Sequence, residues 1–103
     1  MKLAGRMLEE IAADLAAVVD VLDVDAIPLP EVQAVYDAFA TVERRAAAGR
    51  VLLARRMAET AQWRREGFAS PADWLASKNG TSTGRARTEL GTSERLKGLA
   101  GDG

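Results

Sequence analysis

The run Asn79-Gly80-Thr81-Ser82-Thr83-Gly84-Arg85-Ala86-Arg87-Thr88 joins a turn pair to four hydroxyl residues and two arginines, a set suited to holding phosphate. Ser82 and Thr83 would present hydroxyls and free backbone amides at a helix N-terminus, where a DNA phosphate can dock. Thr83, Gly84, Arg87 and Thr88 would then fall on the outward face of that helix. Arg87 is the candidate for a base edge, since its planar fork matches the guanine acceptors of the major groove. Lys78, Arg85, Arg95 and Lys97 suit phosphate contacts, although the same side chains on any surface helix serve equally as solvated charges.

Binding is the chemistry these residues offer. The chain has no cysteine and no histidine, which excludes thiolate nucleophiles, zinc–thiolate sites, imidazole general acid/base catalysis and the usual triads. No pair of acids sits in an apolar context that would raise a pKa for catalysis. We therefore assign no catalytic residue, metal ligand or cofactor, and expect no small-molecule substrate. The N-terminal stretch is broken by Glu9, Glu10 and Asp14, so no signal-peptide core is expected. No apolar run approaches the roughly 20 residues of a membrane span, and a cytoplasmic protein is expected.

The net charge of −1 conceals a sorting of charge along the chain. Residues 1–43 carry two basic and nine acidic groups, whereas residues 44–97 carry twelve basic and five acidic. An arginine-rich half is what phosphate binding needs. The two halves could instead neutralise each other within one bundle or across a dimer.

The elements that must position these residues are all helical. At 103 residues the chain fits one domain, with a core kept modest because 20 of its apolar residues are alanines. Leu8, Ile11, Leu15, Val18 and Leu22 follow a 3-4-3-4 spacing that predicts a helix over about residues 4–24, ended by Pro28 and Pro30. Pro30 and Glu31 suit the first turn of a long second helix, about 30–65, lined by Val32, Val35, Phe39, Val42, Ala46, Gly49 and Leu53. In the helical bundle this predicts, the first half of the long helix packs antiparallel on the N-terminal helix, but its length of about 54 Å exceeds such a globule, so its second half needs a further partner. Ala46-Ala47-Ala48-Gly49 makes a slim segment where a backbone could approach closely, or simply a local weak point.

A loop at residues 66–69 precedes Ser70-Pro71-Ala72-Asp73, which reads as N-cap, first-turn proline and first-turn acid. A short helix over about 71–78 should end at Asn79-Gly80, a pair suited to the left-handed cap. Another helix over about 82–90 and a last turn or helix from Ser93 to Leu99 complete the chain, with residues 98–103 frayed. The segment from Trp74 to Leu96 fits a helix-turn-helix: Ala76 is small at the crossing, Gly80 supplies the positive φ, and Ala86 and Leu90 face the core. Thr81 stands where a large apolar residue is usual, so a plain helical hairpin is the alternative. Trp63 and Trp74 could stack on bases, but core packing is the expected role of both rings.

The string Arg55-Arg56, Trp63-Arg64, Gly67-Phe68, Ser70, Trp74-Leu75-Ala76, Gly80, Ser82, Arg85-Ala86-Arg87, Leu90 and Arg95-Leu96 resembles the actinobacterial domain of unknown function 222. That family is also called the mycobacterial thirteen-E-twelve repeat family. The resemblance covers residues 44–99. Its members usually place this helical region ahead of an HNH nuclease domain, which implies a DNA-directed role. The present chain departs from that pattern in having no HNH segment and none of the histidines such a metal site requires. No family catalytic residue is carried over, and either a fragment of a longer protein or a stand-alone relative is implied.

The resulting expectation is an all-α helical domain of three consecutive parts, residues 1–29, 30–66 and 70–99. It would bind or position duplex DNA through Lys78, Ser82, Thr83, Arg85, Arg87, Thr88 and Arg95. The rival readings are a dimerisation or scaffold module joined through its heptad-like helices, without nucleic acid, and a small stand-alone transcriptional regulator.

Overall fold

The structure is a computed structural model that describes the backbone of residues 2–101 and the side chains of residues 3–97. It is all-α, with no strand among the described residues. The helices are α1 (Lys2–Val21), α2 (Leu29–Glu59), α3 (Gln62–Arg65), α4 (Pro71–Asn79) and α5 (Thr83–Gly101). No helix among the described residues is long and apolar enough to cross a membrane. Two compact units are distinguished, residues 1–38 and 39–103, and the boundary falls inside α2. It thus lies within the second of the three parts suggested by the sequence.

In residues 1–38, α1 ends where the two-proline segment begins, and a 3₁₀ turn at Val24–Ala26 carries the chain to α2. Ile27 donates its amide to the Val24 carbonyl, and the Pro28 carbonyl accepts the Glu31 amide at 2.8 Å. Pro30 and Glu31 occupy the first turn of α2 as expected. Of the α1 stripe only Leu15 is half-buried, while Leu8 remains 62% exposed and Ile11, Val18 and Leu22 are exposed as well. None of the described side chains of this unit is fully buried.

In residues 39–103, the expected helix to residue 65 is cut at Glu59. The Thr60 hydroxyl donates to the Met57 carbonyl at 2.8 Å and accepts the Gln62 amide, and Ala61 turns into the left-handed region at φ 59°. A side-chain hydroxyl competing for helix carbonyls is the physical cause, since neither glycine nor proline marks the break. The Trp63 indole then donates to the Ala58 carbonyl at 3.2 Å and folds α3 back onto the end of α2. Gly67, at φ 87°, supplies the turn into α4.

The core gathers Ala54, Ala72, Trp74, Leu75, Ala76 and Ala86, with Met57, Trp63, Phe68 and Leu90 packed against it. Alanines dominate because α2, α4 and α5 come close together around one large ring, that of Trp74. Ser93, 1% exposed, marks the approach of α5 to α2: its hydroxyl donates to the Leu52 carbonyl and accepts the Arg55 amide.

The expected division of the C-terminal segment into two helices is not observed. α5 runs unbroken through Gly91, because one interior glycine costs only about 1 kcal/mol and nothing else opposes the helix. The backbone of residues 98–101, expected to fray, continues α5, and residues 102 and 103 lie outside the described residues.

Candidate nucleic-acid interface

The candidate residues stand on α4, the turn at residues 80–82 and α5. The Ser70 hydroxyl accepts the Asp73 amide at 3.1 Å and starts α4 ahead of Pro71, as the sequence suggested. Gly80 closes α4 at φ 65° and ψ 33°, and the amides of Gly80 and Thr81 both reach the Ala76 carbonyl. Ala76 is buried at the crossing, Ala86 is almost fully covered, and Leu90 packs against the core. These are the steric roles that the sequence assigned them, and a helix-turn-helix and a plain helical hairpin share them. Thr81, at the position where that pattern usually carries a larger apolar side chain, is half-buried and its hydroxyl is enclosed without a partner. An unmet hydroxyl of this kind is a local cost of about 1–3 kcal/mol.

The hydroxyls at the start of α5 are not both turned outward. Ser82 is exposed, but its hydroxyl accepts the Arg85 amide at 3.1 Å and so caps the helix itself. Thr83, expected on the outward face, is half-buried and donates its hydroxyl to Asp73 Oδ1 at 2.9 Å. The cause is geometric. Once Ala86 and Leu90 face the core, Thr83 lies on the same side of α5, and the first-turn acid of α4 offers it an acceptor. The amides of Thr83 and Gly84 keep no protein partner among the described residues, so the tip of α5 retains the donors an anion needs.

The outward face of α5 consists of Gly84, Arg87, Thr88, Gly91 and Arg95, spaced as one helical stripe. Arg87 is exposed and makes neither ion pair nor hydrogen bond among the described residues. The Thr88 hydroxyl turns back to the Gly84 carbonyl at 3.1 Å, and Arg95 donates to the Thr92 hydroxyl at 3.0 Å. The guanidinium of Arg95 also lies over Gly91, 3.5 Å from where a Cβ there would stand. Gly84 thus leaves a low surface beside Arg87, while the Arg95 side chain covers Gly91.

Arg85 lies to one side of this face, with Nε 3.9 Å from Glu89, whose other oxygen accepts from Arg50 of α2 at 3.0 Å. One carboxylate shared by two arginines leaves a net positive charge at the flank. Neither Arg50 nor Glu89 stood out in the sequence, because residues 39 apart carry no local signal of their meeting. Lys78 sits on the α4 side, with Nζ 5.0 Å from the centroid of the Trp74 ring.

Stacking on bases by Trp74 is ruled out by burial, since the ring is 4% exposed and its indole donates to Glu66 at 3.3 Å. Trp63 is half-buried, with the Arg64 guanidinium 4.9 Å from its centroid. No group of three or more carboxylates that could hold a metal ion occurs among the described residues. Compared with models of protein families, with curated proteins and with solved structures, the chain matches none.

Proposed function

We propose that residues 39–103 form a non-catalytic module that binds or positions duplex DNA in the cytoplasm, serving an HNH endonuclease-like protein. The observation that carries this reading is the stripe of Arg87, Thr88 and Arg95 on α5, low at Gly84 and held behind a turn capped at both ends. Arg87 addresses a base edge, while Lys78, Arg85 and Arg95 take phosphates and the open amides at the tip of α5 take one more. The resemblance of residues 44–99 to the domain 222 family gives the nuclease context.

The reading is tested by titrating labelled duplexes with the full chain at several salt concentrations. Weak binding, micromolar or poorer, should fall steeply with salt as counterions are released. Arg87→Ala should lose about 1–3 kcal/mol on a preferred sequence and flatten the preference. Absence of duplex binding at about 50 mM salt defeats the proposal.

A second reading, a dimerisation or scaffold module, is favoured by the exposed apolar stripes of α1 and α2. A second copy would cover them, and the oligomeric state in solution tests this directly.

A further inference from the structure

Within residues 39–103, one face of α2 carries a row of exposed apolar or small residues. Val42, Ala46, Gly49 and Leu53 follow a 4-3-4 spacing and form a single stripe. All four are exposed, Val42 by 40% and Leu53 by 54%. By helical periodicity the stripe lies across α2 from Ala47, Val51 and Ala54, the residues turned toward α4 and α5. A Cβ added at Gly49 would meet nothing within 4 Å, so the space over the middle of the stripe is open.

We propose that this stripe is the seam of an antiparallel homodimer in which α2 of one copy crosses α2 of a second. The proposal rests on the dimerisation reading and specifies its surface, orientation and register. With the two-fold axis between Ala47 and Ala48, Ala46 meets Gly49 of the second copy and Val42 meets its Leu53. Small thus faces small at the centre, and large faces large at both ends.

Charge selects the orientation. Glu43 and Arg50 flank the stripe on one side, and Arg45 and Leu52 flank it on the other. Antiparallel pairing brings Glu43 against the second copy's Arg50 twice, and lays the stem of Arg45 along the exposed Leu52. Parallel pairing would set Arg45 against the second copy's Arg50 at both flanks, a like-charge contact that the antiparallel arrangement avoids. Arg50 already bonds Glu89 at 3.0 Å through one nitrogen, which leaves donors of its guanidinium for a second carboxylate. Val42 to Leu53 spans only about 16 Å of helix, so association in the micromolar range is expected.

The absence of native cysteine makes the test direct. Val42→Cys and Leu53→Cys chains are prepared separately, mixed, equilibrated and oxidised, and the disulfide-linked products are weighed by mass spectrometry. Sedimentation of the unmodified chain should show a reversible dimer, and the linked species should contain one chain of each kind. Self-linked Val42→Cys chains would establish a parallel seam and overturn the proposal. A dimer without any 42–53 link would place the interface elsewhere, for example on α1, and overturn the proposal while leaving the dimerisation reading intact. A strict monomer would remove both, and capture of an unlike helical partner by that monomer would assign the stripe to that partner. Gly49→Lys supplies an independent arm, because the open space accepts the side chain in a single copy whereas the seam would bury its charge. The dissociation constant should rise by about tenfold or more with helicity unchanged, and an unaltered dimer would refute the close approach at Gly49.

Discussion

Replacing Trp74 by alanine should unfold residues 39–103, and the magnitude follows from the packing. The ring is 4% exposed at the centre of a core otherwise made mainly of alanines. A buried tryptophan removes about 150–250 Å² from water, equivalent to about 4–6 kcal/mol at about 25 cal/mol per Å². Measured tryptophan-to-alanine losses in cores run at about 3–5 kcal/mol, the alanine keeping part of the contact. A unit of 65 residues (39–103) has a total stability of about 3–10 kcal/mol at typical values per residue. The loss therefore removes between about a third and all of it, and Met57, Phe68 and Leu90 at the edge of the core would have to shift to fill the space. Urea unfolding followed by the fluorescence of Trp63, the remaining indole, measures the change. A Trp74→Ala chain with an unshifted, cooperative midpoint would refute the reasoning, and impaired DNA binding in that stable chain would return the ring to a stacking role.

Ser93→Ala should cost about 1 kcal/mol, since the Leu52 carbonyl and Arg55 amide lose only a second partner. Ser93→Val should cost about 1–3 kcal/mol by forcing α5 away from α2, and denaturant midpoints of the two variants check the order. Gly80→Ala should lose about 1–2 kcal/mol through backbone strain alone, because a Cβ there meets no atom within 4 Å, and its thermal midpoint reads this. Lys78→Ala and Arg95→Ala should each weaken binding to all duplexes alike and lower the salt slope by about one, as read from titrations at several ionic strengths.

Where the sequence was legible, local chemistry dictated the outcome. Ser70, Pro71 and Asp73 announce the start of α4 because a cap needs only residues within one turn, and Asn79-Gly80 announces its end for the same reason. Ala76, Gly80, Ala86 and Leu90 declare the packing of α4 on α5 through size and φ alone. The cut in α2 was hidden because Thr60 and Ala61 are ordinary residues whose effect depends on Trp63 bonding back to Ala58. The inward turn of Thr83 was hidden because its acceptor, Asp73, belongs to another helix. Arg50 and Glu89 could not be paired without knowing that α5 docks on α2, and Ser93, which fixes that docking, reads in sequence as a polar residue bound for the surface.

The dependence of the core on two very different sequence separations has a consequence for the order of folding. Trp74, Leu75 and Ala76 meet Ala86 and Leu90 across a turn of three residues, whereas the Ser93 hydroxyl must find Leu52 and Arg55, 41 and 38 residues away. Closing the short loop costs far less chain entropy, so the α4–α5 pair is the natural nucleus and α2 joins it late. Contacts within that pair then govern how fast the chain folds. The Ser93 clasp, made after the barrier is crossed, governs how long the native state lasts.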